Sequence, residues 1–201
     1  MNFIRVTKDG RGFCEENTGT HYVPIGANYA AAIGRKGDTR YSYLFGTDEF
    51  TAPTGVVEAQ NAFGRLSELG MNTLRVWLEP DEFFPHGYRL DPAAAERFDA
   101  LVDAARANGL RISVGMHLCP IPSGWKLHSF EPPHLDRHAA QWHALALRWG
   151  LRPEIFSWTI VGEGTLPWET PWIRSQWPTW LQYWYNDDVA ALKAAWGARV
   201  P

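Results

Sequence analysis

The segment Ile155-Phe-Ser-Trp-Thr-Ile-Val-Gly-Glu-Gly164 decides how this chain folds. Its first residues are mostly apolar or β-branched, and they predict a buried strand over 155–161. A single carboxylate, Glu163, follows the strand and lies between two glycines. A buried strand that delivers one charged residue at its end is typical of the open face of a parallel α/β sheet. The segment therefore predicts a fold class and one candidate functional residue.

The rest of the chain repeats the same order of a strand followed by a helix. Strands are predicted at residues 22–29, 72–78 and 110–118, and helices at 56–69, 91–109, 136–149 and 177–196. The helices carry apolar residues at the spacing of one helical face, and a glycine ends each of the first three. Four such pairs with short returns predict a parallel sheet of right-handed βαβ units. We therefore expect an α/β fold, with four βα units of a TIM-barrel-like parallel sheet (a half-barrel).

The pattern also predicts three local details. In the first helix, the apolar side is predicted to consist of Ala59, Phe63, Leu66 and Leu69. In the second helix, Asp91 is the expected N-cap, because a proline follows it in the first turn. The strands are apolar enough that we expect apolar residues on both of their faces.

The N-terminal residues predict a separate small element. Residues 3–13 alternate around Asp9-Gly10, which favours a β-hairpin that lies as a lid on the bottom of the barrel. A length of 201 residues fits a single domain, 1–201, divided into a hairpin at 1–20 and four βα units at 21–197. A complete eight-unit barrel usually takes ~250 residues.

Composition narrows the classes of function. The formal charge of -3 gives no basic field for nucleic acid, and no apolar run is long enough to cross a membrane. The N-terminus is too polar for a signal peptide. Cys14 and Cys119 are far apart in the sequence, and we interpret them as reduced thiols of a cytoplasmic protein. One disulfide between them is also compatible with the sequence. No metal-ligand cluster is present, so no metal or other cofactor is expected.

Most of the 11 tryptophans lie in the C-terminal third of the chain. Large rings can simply fill a core, which is the better interpretation for Trp142, Trp149 and Trp158 inside periodic segments. Trp168 and Trp172 lie in a proline-rich stretch and are harder to bury. A flat apolar ring at such a position suits a sugar face, so Trp168 is a candidate substrate-binding residue.

Polar residues are predicted at the carboxyl end of every strand, where parallel sheets bind their ligands. These residues are Asn28 and Tyr29 on the first strand, Arg75 to Glu79 on the second, His117 on the third and Glu163 on the fourth. Each has a structural alternative: an ion pair for Arg75, a core contact for His117 and a loop cap for Asn28. Their convergence on one rim favours a shared site.

Several of these segments together resemble the N-terminal half of clan A glycoside hydrolases, the cellulase-like and β-galactosidase-like (β/α)8 enzymes. The segments are Ile25-Gly-Ala-Asn-Tyr29, Leu69-Gly-Met-Asn-Thr-Leu-Arg-Val-Trp77, Phe98-Asp-Ala-Leu-Val-Asp103 with Gly109-Leu-Arg-Ile112, Ile155-Phe-Ser-Trp158 with Gly162-Glu163, and Trp180-Leu181 through Ala195-Trp-Gly197. The resemblance implies a hydrolase with a saccharide substrate and with Glu163 as general acid/base. It also implies that Arg75 braces the catalytic carboxylates and that His117 contacts the sugar.

The candidate site therefore has two classes of residue. The candidate catalytic residues are Glu163 and His117. The candidate substrate-binding residues are Asn28, Tyr29, Arg75, Trp77 and Trp168. The glycines and Val161 beside Glu163 are a reasonable setting for a carboxyl group with a raised pKa. Protonation of a glycosidic oxygen requires such a group.

The chain departs from the family pattern at two points. Gly162 stands where the family has an asparagine that holds the sugar 2-hydroxyl, and no carboxylate matches the family's nucleophile on the seventh strand. A retaining reaction needs a second carboxylate ~5 Å from the first, and neither Glu79 nor Glu169 matches that position. An open sheet also leaves strand edges and apolar surface exposed. We therefore expect a homodimer or higher homo-oligomer that completes the sheet, with His117 of one subunit facing Glu163 of the other.

Three functions are compatible with these observations. The first is a glycoside-hydrolase-like activity whose nucleophile is absent from the chain unless a partner subunit supplies it. The second is a promiscuous esterase on the same rim, with Cys119 or Ser123 as nucleophile, acting on small-molecule esters. The third is a non-catalytic carbohydrate-binding remnant.

Overall fold

The computed structural model describes residues 1–29, 44–45, 53–78, 80–116, 132–160 and 170–197. Its strands are β1 (Ile4–Val6), β2 (Phe13–Glu15), β3 (His21–Tyr22), β4 (Gly26–Asn28), β5 (Leu44–Phe45), β6 (Thr73–Leu78), β7 (Arg111–Met116) and β8 (Ile155–Thr159). Its helices are α1 (Pro53–Glu68), α2 (Pro80–Phe83), α3 (Pro92–Ala107), α4 (Pro132–Trp149), α5 (Pro171–Tyr185) and α6 (Val189–Trp196).

The larger sheet confirms the predicted fold class. Strands β4, β6, β7 and β8 lie side by side in that order, and all of their pairings are parallel. Strand β4 approaches β6 so closely that a Cβ atom on Gly26 would lie 1.8 Å from the carbonyl oxygen of Thr73. The fourth strand begins at Ile155 as predicted, but it ends at Thr159. The short strand β5 also pairs in parallel with β6. The fold is α/β, and the four strands that lie side by side form, with their helices, part of a TIM-barrel architecture.

The N-terminal element is larger than the predicted hairpin. Strands β1 and β2 form that hairpin, and β3 adds a third antiparallel strand to it. The single strand predicted over 22–29 is wrong, because its first residue belongs to β3 and its end forms β4. Pro24 lies between the two and has no N–H group for a ladder hydrogen bond. The antiparallel sheet therefore extends as far as Tyr22.

This small sheet covers the amino ends of the parallel strands, as expected for a lid on the barrel bottom. The Arg111 side chain at the start of β7 is 4% exposed and donates to the carbonyl oxygens of Asn2 and Pro153 at 2.6 and 2.7 Å. It also donates to a Glu15 carboxylate oxygen at 3.0 Å. One buried guanidinium thus joins the N-terminal residues, β2 and the turn before β8, which fixes this end of the sheet.

The apolar core lies between the parallel sheet and its helices. Alternate residues of β6 and β7 point into it: Leu74, Val76, Leu78, Ile112, Val114 and Met116. Phe63, Phe98 and Trp149 pack on the helix side, and the last two make an edge-to-face contact at 4.9 Å. Asp91 caps α3 as predicted, since its carboxylate accepts from the Ala94 N–H at 2.8 Å.

Two predicted helical features are wrong. Leu69 is 74% exposed, because α1 ends at Glu68 and the chain turns through Gly70 at a φ of 82°. The helix predicted over 177–196 is two helices, since Asn186 and Asp187 adopt left-handed φ angles of 46° and 61°. The Asp188 carboxylate then caps α6 by accepting from the Ala191 N–H at 2.9 Å.

None of the helices in the described part of the chain is both long enough and apolar enough to cross a bilayer.

Candidate active-site face

A row of polar residues crosses the sheet on the face opposite the helices. Asn28, Arg75, Ser113 and Ser157 occupy neighbouring register positions on β4, β6, β7 and β8. Register partners in a parallel sheet point to the same side, and the residues flanking Arg75 and Ser113 are buried on the helix side. The expectation of apolar residues on both faces is therefore wrong for this face.

The two serines of this row are in direct contact. The Ser157 hydroxyl donates to the Ser113 oxygen at 2.8 Å. This bond ties β8 to β7 just after the irregularity at Ile112 and Ser113, where the pairing register shifts. In both strands a serine stands between two apolar residues, and that pattern is the only sequence signal for them. No role in the site was predicted for either serine.

The next position toward the carboxyl ends holds Trp77. The Arg75 guanidinium carbon lies 4.4 Å from the centre of its ring, within the range of a cation–π contact. A Cβ atom on Gly115 would lie 2.6 Å from Cε3 of the same ring, so the indole lies across β7 where only glycine leaves room. A glycine inside a strand often marks such a close approach, and Gly115 was another missed residue.

The structure thus brings three of the predicted substrate-binding residues together. Asn28, Arg75 and Trp77 share one face at adjacent positions. Tyr29 lies apart from them. Its N–H donates to the Arg75 carbonyl at 2.8 Å, but its ring packs edge-on against Phe63 of α1 at 5.0 Å, on the helix side.

The other predicted site residues lie outside the described residues, and their roles stay predictions. They are Glu163, His117 and Trp168, together with Glu79, Glu169, Cys119 and Ser123. Glu163 follows Ile160, the last described residue after β8, by three positions in the sequence.

A buried histidine contacts the backbone just after β8. His138 on α4 is 7% exposed, and its Nε2 accepts a hydrogen bond from the Trp142 indole N–H at 2.9 Å. The same nitrogen lies 3.3 Å from the Ile160 carbonyl oxygen. Trp142 in turn makes an edge-to-face contact with Trp158 of β8 at 5.8 Å. The Trp142–Trp158 contact therefore joins α4 to β8, with His138 beside it.

The protonation state of His138 follows from its surroundings. An indole N–H can only donate, so the bond from Trp142 requires an unprotonated Nε2 and a neutral ring. Burial lowers the pKa of His138, and the nearby positive charge of Arg137 acts in the same direction, while the Ile160 carbonyl acts in the opposite one. Nδ1 has no hydrogen-bond partner among the described residues.

The described part of this face can bind polar groups, but it does not form a metal site. Arg75 supplies a positive charge that can attract a carboxylate, and Asn28 and the serine hydroxyls can bind sugar hydroxyl groups. No group of three or more histidine, cysteine, aspartate or glutamate side chains is placed to hold a metal within the ranges that the structure describes.

Comparison with known families gives a match over most of the chain. The family described as "Cellulase (glycosyl hydrolase family 5)" matches residues 39–195. This range contains β6, β7 and β8 with Arg75, Trp77, Ser113 and Ser157, and it also contains Glu163. No curated protein matches the sequence.

Two solved structures of glycoside hydrolases share the fold, and a third is similar over about half of this chain. The exo-β-1,4-mannosidase Op5Man5 from Opitutaceae bacterium strain TAV5 is 20% identical over 94% of this chain and 33% of its own, with a TM-score of 0.59. A second glycoside hydrolase is 18% identical over 81% of this chain and 34% of its own, with a TM-score of 0.55. The endoglucanase Cel5A from Pseudomonas stutzeri, solved with cellobiose, is 21% identical over 52% of this chain and 32% of its own, with a TM-score of 0.45. The chain spans about a third of the length of these structures.

Proposed function

The chain belongs to the cellulase family, glycosyl hydrolase family 5, and on that premise we propose that it hydrolyses a glycosidic bond with Glu163 as general acid/base. The observation that carries the proposal is the family match over 39–195, which includes Glu163 and, from the polar row, Arg75, Ser113 and Ser157. A glycosidic oxygen is a poor leaving group until it is protonated, and a positioned carboxylic acid supplies that proton in this class of reaction.

Residues on the described face have two roles in this proposal. Arg75 is a positioning residue, since its guanidinium can pair with carboxylates at the strand ends while the Trp77 ring holds it in place. Its 4.4 Å distance from that ring supports a fixed orientation. Asn28 and Ser113 border Arg75 in the same row and supply neutral donors and acceptors for sugar hydroxyl groups.

The proposal also includes a second carboxylate. A retaining glycosidase needs a nucleophilic carboxylate ~5 Å from the acid/base, whereas an inverting enzyme needs a base roughly 6.5–9.5 Å away. Neither Glu79 nor Glu169 matches the family's nucleophile position. We assign this role to a carboxylate outside the four βα units, such as one contributed by a partner subunit.

The test is hydrolysis of a series of aryl β-glycosides by the purified chain and by Glu163→Gln. We expect kcat/KM of the variant to fall about 10²–10⁴-fold, the usual contribution of general acid–base catalysis. Glu68→Gln is the matched control, because Glu68 lies at the exposed end of α1. It should leave kcat/KM unchanged.

Three results would contradict the proposal. Equal glycoside hydrolysis by the parent chain and Glu163→Gln would exclude Glu163 as the acid/base. Turnover of short acyl esters that survives Glu163→Gln but is lost in Cys119→Ala or Ser123→Ala, without any glycoside turnover, would identify an esterase instead. Saccharide binding with no turnover of either substrate would identify a binding protein.

A further inference from the structure

The helices α5 and α6 with their connection, residues 171–196, form a surface that we call the aromatic hairpin. Neither helix contains a buried residue. Yet the segment is rich in large rings, and its most exposed ones are 80% exposed at Tyr183, 63% at Trp184 and 50% at Trp196. Contiguous exposed apolar patches mark interaction sites, so this surface calls for an occupant.

The hairpin is held together by its own rings. Trp180 lies at the centre, stacked on Trp177 at 5.1 Å and in contact with Trp196 at 6.0 Å and Trp184 at 6.4 Å. The Trp196 indole N–H donates to the Tyr185 hydroxyl at 2.5 Å, which joins α6 to the end of α5. These contacts fix the ring cluster before any partner binds, so little side-chain freedom is lost on association.

The composition of α6 favours protein over carbohydrate as the occupant. Its sequence is Val-Ala-Ala-Leu-Lys-Ala-Ala-Trp, with a single charge, and Val189 is 58% exposed. A helix that is apolar almost all round is normally covered by protein, whereas a sugar-binding surface needs polar groups beside its rings.

Area and charge both favour a second copy of this chain, and we propose that two aromatic hairpins pack on each other in a homodimer. About half of the surface of each exposed ring is accessible to solvent, and the five rings are Trp177, Trp180, Tyr183, Trp184 and Trp196. At ~200 Å² for a whole ring, they supply on the order of 500 Å² of accessible area. A stable interface takes ~800 Å² per partner, so the rings alone provide more than half of it. The hairpin carries two cations, Arg174 and Lys193, and two acids, Asp187 and Asp188, so two copies can meet without net repulsion.

The proposed contact is isologous, with the same surface used by both copies around a two-fold axis. Tyr183 and Trp184 are its anchors, because aromatic side chains dominate the binding energy of interfaces. It differs from a dimer that joins sheet edges, since no strand takes part. Its test uses no substrate and does not measure Glu163, so it can fail while the role of Glu163 in the proposed hydrolysis still stands.

The test is sedimentation velocity of the whole chain from 1 to ~100 μM, a range that covers typical weak and moderate dimers. We expect a concentration-dependent monomer–dimer equilibrium, and we expect Trp184→Ala and Tyr183→Ser each to weaken it at least tenfold. Leu147→Ser is the matched control, because Leu147 is 72% exposed on α4 and lies outside the hairpin. It should change the dimer dissociation constant less than twofold.

Folding and alternative occupants are controlled separately. Tyr183 is so exposed that its substitution should leave far-UV circular dichroism and Tm unchanged, which guards against loss of the dimer through misfolding. A monomer at all concentrations, or a dimer that persists in both hairpin variants, overturns the proposal. So does a shift of tryptophan emission on adding cellopentaose or mannopentaose that is lost in Trp184→Ala while the mass stays that of a monomer.

Discussion

The two faces of the parallel sheet are built from the same strands but are stabilised differently. On the helix side, Leu74, Val76 and their neighbours on β7 are fully packed against α1 and α3. On the other side, Arg75, Ser113 and Ser157 make hydrogen bonds and a ring contact and remain partly accessible. The helix face therefore accounts for stability, while the polar face is free to carry chemistry.

The largest difference in stability between the two faces is expected when a ring is removed from the helix face. Phe98→Ala empties a fully buried position between Phe83 and Trp149. We expect it to lower the free energy of unfolding by about 3–5 kcal/mol, from lost burial and the remaining cavity. Urea denaturation followed by circular dichroism measures the change. A loss below about 1 kcal/mol would mean that this face is not the stabilising one.

A smaller effect is expected on the polar face from Gly115→Ala. The new methyl group would overlap the Trp77 ring, so the free energy of unfolding should fall by about 1–3 kcal/mol through overpacking. Trp77→Leu in the same chain should relieve part of this cost, which a double-mutant cycle detects. If the two substitutions are simply additive, the indole does not lie against β7.

The smallest effect concerns pH and His138, at the junction of α4 and β8. Its pKa is lowered in the folded chain, chiefly by burial, so the unfolded chain binds the proton more readily. Stability should therefore fall as pH drops below the unfolded value of ~6.5 and level off below the lowered folded value, with a slope of at most about 1.4 kcal/mol per pH unit. His138→Gln should flatten this part of the stability curve. An unchanged curve in the variant would show that another group is responsible.

Much of the fold could be predicted because it follows from local patterns. The fold class and the family resemblance are confirmed, and so are the start of β8 and the cap at Asp91. What could not be predicted depends on partners distant in the sequence. Pro24 splits the first predicted strand, and Asn186 with Asp187 breaks the last helix through backbone angles that a periodic pattern does not encode.

The candidate site was predictable to a lesser degree. Asn28 and Trp77 could be placed near strand ends from the βαβ order alone, whereas Arg75 lies in the middle of β6, on the same face as Trp77. Ser113, Ser157 and Gly115 could not, because their significance depends on which residues become register neighbours. His138 was missed because one helical histidine gives no sign of the backbone carbonyl that it will face after β8.

One further consequence comes from the short strand β5. It pairs with Trp77 and Leu78 of β6, beyond the point where β4 stops, and β7 already occupies the opposite edge of β6. Residues 26–28 and 44–45 therefore pair in turn with the same edge of β6, one beyond the other. Each doubling of the sequence length between two such points costs only ~0.6 kcal/mol of chain entropy. The number of residues that separate β4 from β5 can therefore change in evolution at little cost to the two pairings beside Arg75 and Trp77.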